Sequence, residues 1–127
     1  MAERIFRARR FSWKERGRSF GFAWAGILGF LRSEHNARLH LLATLAAIVL
    51  SVAAGISRME AVGLALCIAL VWITEIVNTA IEKAMDMITE EWHPQVKLVK
   101  DMAAAAVLLA AIVALLIGCI IFLPKFF

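Results

Sequence analysis

Residues 102–123 run for 22 positions without one charged side chain. At about 1.5 Å per residue such a helix is roughly 33 Å long, enough to cross the ~30 Å hydrocarbon layer of a bilayer. A second block, Ala61 to Ile81, is almost as apolar until it meets Glu75. A third, Leu41 to Ile56, is uncharged but short for a span, which needs about 17–25 residues. It is extended backwards through His40 and Arg38, whose long side chain can snorkel to the headgroups. The chain is 62% hydrophobic over 127 residues, against roughly 45–50% in ordinary soluble domains. A chain this short could not bury such blocks inside itself, so lipid is the expected solvent. The fold class expected is an all-α membrane protein with transmembrane helices over 36–56, 61–86 and 101–123. The link Ser57 to Glu60 is short enough only to join antiparallel neighbours.

Ahead of the spans, residues 1–17 read as a basic tail and 18–33 as an amphipathic helix lying at the membrane surface. The second segment is apolar, Gly-rich and too short to span. A signal peptide is the rival reading, since a basic leader precedes it. The length of that leader and the charged stretch that follows weigh against it. Nine Lys and Arg residues from Arg4 to Arg38 precede the first span, and Lys83, Lys97 and Lys100 lie between the second and third. Only Arg58 falls in the first link and only Lys125 after the last span. The positive-inside rule then puts the N-terminus and the second loop in the cytoplasm. The basic tail is expected to rest on the anionic inner leaflet rather than to bind nucleic acid. Cys67 and Cys119 lie in apolar blocks with no CxxC spacing and read as inert, buried side chains.

The chemistry-bearing residues are few. Glu75, Asn78, Glu82 and Asp86 are spaced by three, four and four, so they share a narrow arc of one helix face, with Thr79 at its edge. The stripe begins inside the apolar run and descends to the cytoplasmic end. A carboxylate in the membrane costs at least ~2.5 kcal/mol and normally faces protein or water. The polar side chains could serve as packing glue between helices, and Asp86 could be a plain surface acid. Ser33-Glu34-His35-Asn36 leads into the first span, where Glu34 and Arg38 could form an intrahelical ion pair and His40 could be an interfacial side chain. Glu90-Glu91-Trp92-His93-Pro94 follows the second span. Lys100-Asp101 opens the third, where Asp101 in the first turn would suit the helix dipole.

These groups converge at one height, the cytoplasmic membrane surface. Glu34 and Glu82 could share Mg²⁺, which takes oxygen ligands and bridges nucleotide phosphates. Lys100 could neutralise phosphate charge, and Glu75 could take a proton from a lipid alcohol. Phosphoryl transfer asks mostly for such positioning and charge neutralisation. Neither GxxxxGK[ST] nor GxGxxG, HRD or DFG occurs. Short motifs alone therefore reach only a membrane protein with a functional polar site.

Glu75-Ile-Val-Asn78-Thr79-Ala80-Ile81-Glu82, then Asp86, Glu91-Trp92-His93-Pro94 and Lys100-Asp101-Met102-Ala-Ala-Ala-Ala-Val107 resemble the prokaryotic diacylglycerol kinase and undecaprenol kinase family. The resemblance runs from about Arg18 to Lys125. It implies a homotrimeric, multi-pass kinase of the bacterial inner membrane, using ATP and Mg²⁺, with sites formed between subunits. By position, Glu75 resembles the general base and Glu34 and Glu82 the metal-binding carboxylates. Asn78, Glu91, His93, Lys100 and Asp101 match positions that contact ATP. Trp24 and Asn36 would line the lipid's way in. Glu34-x-Asn36-x-Arg38-x-His40 and Ile121-Phe122-Leu123-Pro124-Lys125 look like the Gram-positive, undecaprenol kinase branch. Phe22 stands where the proteobacterial diacylglycerol kinases carry Tyr, and Ala104 where they carry Ser. These features favour undecaprenol over diacylglycerol as acceptor. Two rival functions stay open on sequence: a small proton-coupled transporter using Glu75, and a non-catalytic helix-packing protein. The first leaves Glu34, Lys100 and Asp101 unexplained.

Overall fold

A computed structural model describes residues 12–127. All regular structure among them is α-helical: α1 (Trp13–Ser33), α2 (His35–Ala54), α3 (Arg58–Ile88) and α4 (Pro94–Phe126). The last three are long and apolar enough to cross a membrane. The chain divides into two compact units, one ending at Ser33 and the other comprising Glu34–Phe127. In the first, α1 begins at Trp13, so the later part of the expected basic tail is helical and residues 1–11 lie outside the described residues. Glu15 in its first turn and Arg32 in its last complement the helix dipole.

The second unit is a three-helix bundle whose helix ends follow local chemistry rather than the limits of the apolar blocks. The helix α2 stops at Ala54, two residues before the expected end of its span. Gly55 takes a left-handed conformation (φ 59°, ψ 48°), which a side chain would strain. Its N–H donates to the Val52 carbonyl and that of Ile56 to Ser51, the paired closure of a Schellman motif. Three residues ahead of the expected span, α3 starts with a capping box. The Glu60 N–H donates to Ser57 Oγ (3.3 Å), and the Ser57 N–H donates to Glu60 Oε2 (2.6 Å). Glu60 Oε2 also lies 3.3 Å from Lys125 Nζ, tying the start of α3 to the end of α4.

Similarly, α4 begins at Pro94, seven residues before the expected 101. Proline at the first helical position loses no intrahelical hydrogen bond, and His93 Nδ1 caps the end by accepting from the Gln95 N–H (3.2 Å). Asp101 is therefore not in the first turn of its helix. It sits about two turns in, ion-paired with Lys97 one turn earlier.

The central element is α3, which packs most extensively against α4 and more lightly against α2. Its apolar window is 22% buried, against 6% for α2 and 11% for α4. Leu64, Cys67, Val71, Glu75 and Asn78 are its buried residues. Their spacing of three, four, four and three is one helix stripe, so the polar residues continue the line that packs the bundle. Leu66, Leu70, Ile73 and Val77 face outward on α3, as suits a helix whose other solvent is hydrocarbon.

Candidate functional site

The polar stripe of α3 separates into successive rungs, each engaged differently. Deepest is Glu75, 5% exposed. Its Oε1 lies 2.8 Å from Nε2 of His40 on α2. One turn away, Thr44 Oγ1 donates to the His40 carbonyl (2.7 Å) and accepts from Trp72 Nε1 of α3 (3.0 Å). His40 also borders an apolar pocket of ≈ 470 Å³ between α2, α3 and α4, whose walls include Thr44, Leu64, Val71, Trp72 and Gly118.

At the next rung, Asn78 Nδ2 donates to Glu82 Oε1 (3.0 Å), joining neighbours one helical turn apart. Asn78 Oδ1 is buried and accepts no hydrogen bond among the described residues. Such an orphaned acceptor is costly in an apolar bundle. A ligand donor or a cation would satisfy it. Beside this rung, Glu34 pairs with Lys83 of α3 (2.9 Å). Glu34 is the N-cap of α2 but forms no side-chain cap bond. Its carboxylate instead reaches α3 at the residue following Glu82.

The outermost rung is Asp86, ion-paired with Lys100 of α4. It opens onto a polar pocket of ≈ 350 Å³ at the α3–α4 link, lined by Asp86, Thr89, Glu90, Glu91, His93 and Lys97, with Lys100 and Asp101 also on its wall. Four carboxylates here face two lysines, so a phosphate chain would meet excess negative charge unless a cation accompanied it. Among the described residues no three His, Cys, Asp or Glu side chains are grouped so as to hold a metal alone. An oxygen-rich, incomplete donor set fits Mg²⁺, which commonly combines one or two carboxylates with substrate phosphates.

The structure thus joins Asn78 to Glu82 and sets Glu34 on Lys83, the residue after Glu82. It brings Glu91, His93, Lys100 and Asp101 together at the pocket, and sets Glu75 about 16 Å from Asp86 along the axis of α3. Asn36 lies exposed in the first turn of α2, and Trp24 is exposed on α1 in the other unit. The residue that sequence reading missed is His40. Its sequence context marks it only as an interfacial side chain, and no local motif connects it with Glu75, 35 positions away.

The prokaryotic diacylglycerol kinase family matches residues 21–122. Relatives include a diacylglycerol kinase of a Synechocystis strain, 39% identical over 84% of this chain and 61% of its own length. An undecaprenol kinase of Bacillus subtilis is 38% identical over 85% of this chain and 88% of its own. A diacylglycerol kinase of Escherichia coli is 36% identical over 84% and 87%. The chain spans less than two thirds of the Synechocystis relative but most of the other two. With three membrane-length helices, a polar stripe on the central one and these relatives across most of its length, the chain belongs to the prokaryotic diacylglycerol kinase family, whose members are membrane-embedded lipid kinases.

Proposed function

We propose that this chain transfers the γ-phosphoryl group of Mg·ATP to the hydroxyl of a membrane lipid, with undecaprenol as the acceptor. The observation that carries the reading is the placement of Glu75. It is a buried carboxylate within a membrane-length helix, and it heads a polar stripe that ends at a charged pocket. Membrane depth is where a lipid hydroxyl is reached, and the polar end is where a soluble nucleotide arrives.

In this reading Glu75 is the general base. The lipid O–H bond breaks, its proton passes to the carboxylate, and the alcohol oxygen forms the new bond to the γ-phosphorus as the bond to ADP breaks. Asn78, Glu91, His93, Lys100 and Asp101 hold the nucleotide. Lys100 contributes positive charge, and the orphaned Asn78 Oδ1 accepts from the ligand or faces its cation. Glu34 and Glu82 would hold Mg²⁺, which when bound neutralises phosphate charge. The apolar pocket bordered by His40 offers room for a lipid chain, and Trp24 and Asn36 are the further lipid-contacting residues of this reading. The protein works as a homotrimer in the bacterial inner membrane, with α1 at the cytoplasmic surface and the N-terminus inside. Partner subunits would shield polar groups that three helices leave open.

Diacylglycerol is the second acceptor to consider, because relatives named for each lipid match at 36–39% identity. Purified protein given radiolabelled ATP with undecaprenol or diacylglycerol tests both. Label in polyprenyl phosphate at the higher kcat/KM supports the first acceptor, and a preference for phosphatidic acid replaces it with the second. ATP-independent proton flux with no labelled lipid would overturn the kinase reading.

A further inference from the structure

His40 is not among the groups that hold nucleotide, metal or reacting atoms, yet it touches the carboxylate at the centre of the transfer. We infer that His40 is the positioning residue of the base: its Nε2–H donates to Glu75 Oε1, fixes the carboxylate's rotation and leaves Oε2 for the lipid hydroxyl. The inference rests on the reading of Glu75 as the base.

Three observations carry it. First, the terminal torsion of a glutamate is broad, so an untethered carboxylate samples many orientations. A general base must instead present one oxygen within hydrogen-bond reach of the proton it takes. The 2.8 Å contact to His40 supplies the tether.

Second, the neighbouring donors are committed elsewhere. Asn78 Nδ2 donates to Glu82 and Trp72 Nε1 to Thr44. His40 is the hydrogen-bond partner that Glu75 has among the described residues. A buried carboxylate needs such a donor, and because an ionised carboxylate only accepts, Nε2 carries the proton when Glu75 is the base.

Third, the stretch of α2 that carries His40 is itself tied to α3. The Thr44 hydroxyl donates to the His40 main-chain carbonyl and accepts from the Trp72 indole N–H. On α2 the two anchors are four residues apart, and on α3 Trp72 and Glu75 are three apart. Two polar rungs, one turn from each other, therefore fix α2 against α3 where the base must be aimed. Packing glue alone would explain one rung. It would not explain why the deeper apolar pocket is bordered by the imidazole that grips the acid.

The test uses the full chain with ATP and undecaprenol, comparing wild type, His40→Ala, His40→Gln, Glu75→Gln and the double variant His40→Ala/Glu75→Gln. Loss of a group that orients another typically costs about 10- to 100-fold, so kcat of His40→Ala should fall by that much. KM for ATP should stay within about twofold of wild type, since His40 holds no part of the nucleotide. His40→Gln keeps an N–H donor near the same place and should recover kcat to within about fivefold of wild type. The double variant should be no slower than Glu75→Gln alone, because a positioning residue acts through the group it positions.

If His40→Ala keeps wild-type kcat while Glu75→Gln is inactive, the inference falls and the base assignment stands. It falls in the same way if the two losses multiply, or if Gln restores nothing in a correctly folded protein. If Glu75→Gln is itself fully active, the base assignment and this inference fall together. Should the alanine variant not fold, His40→Leu against His40→Gln makes the same comparison at matched bulk.

Discussion

Replacing Glu75 with Gln isolates charge and basicity from shape. The side chain keeps its length, and an amide oxygen can still accept from His40 Nε2 at the 2.8 Å position. A hydrogen bond to a charged acceptor is worth about 1.5–3 kcal/mol and one between neutral groups about 0.5–1.5 kcal/mol. Folding should therefore lose on the order of 1 kcal/mol from that contact. Removing a charge from a site only 5% exposed works in the opposite direction. The net effect on stability is small, and the protein should purify in the same assembly state. Turnover is a different matter. General-base assistance contributes about 10²–10⁴ in rate, equivalent to roughly 2.7–5.4 kcal/mol at about 1.36 kcal/mol per decade. The expected outcome is a kcat lower by two to four orders of magnitude, with ATP binding unchanged. Steady-state transfer of label to undecaprenol at saturating ATP, with direct nucleotide titration, gives both numbers. A kcat within about tenfold of wild type would refute the reasoning. So would a loss carried by the lipid KM, which would make Glu75 a binding residue.

Glu34→Ala and Glu82→Ala should each raise the Mg²⁺ concentration needed for half-maximal ATP binding, and an unchanged Mg²⁺ titration would remove them from the metal's surroundings. The Glu34 variant also frees Lys83, but that lysine's side chain is 60% exposed, so folding should be little affected. Lys100→Ala should raise KM for ATP by about 10- to 100-fold, the weight of one charge-assisted phosphate contact. An unchanged KM would leave Lys100 as a partner of Asp86 alone. Ser57→Ala should lower thermal stability by about 1 kcal/mol through loss of the α3 cap while leaving kcat intact. A loss of turnover at equal folded fraction would contradict that.

What could be read from the sequence was set by periodicity. Long apolar runs marked three membrane-length helices, and the spacing of Glu75, Asn78, Glu82 and Asp86 gave a single face because helix geometry fixes angles within one element. Helix ends were partly legible. Ser57-x-x-Glu60 is a capping-box pattern and Pro94 a start signal, yet both lie in polar stretches outside the apolar windows, so spans defined by hydropathy began too late. Gly55, which ends α2, is likewise a stop signal, one that the uncharged run to Ile56 overrode in setting the expected span. What periodicity does not carry is how one helix is rotated against the next. His40–Glu75, Glu34–Lys83 and Asp86–Lys100 all depend on that rotation, and each joins residues distant in the chain. Asp101 falls outside the first turn for a related reason: its position in the helix depends on where α4 begins.

Glu60 does two jobs at once, closing the cap of α3 and gripping Lys125 at the end of α4. The two ends of the α3–α4 hairpin are therefore closed by different means. At the Asp86 end the chain itself joins the helices through residues 89–93, whereas at the Glu60 end an ion pair between partly exposed side chains does so. Such a pair contributes little to stability and is screened by salt, so raised ionic strength loosens the open end of the hairpin while the linked end stays joined.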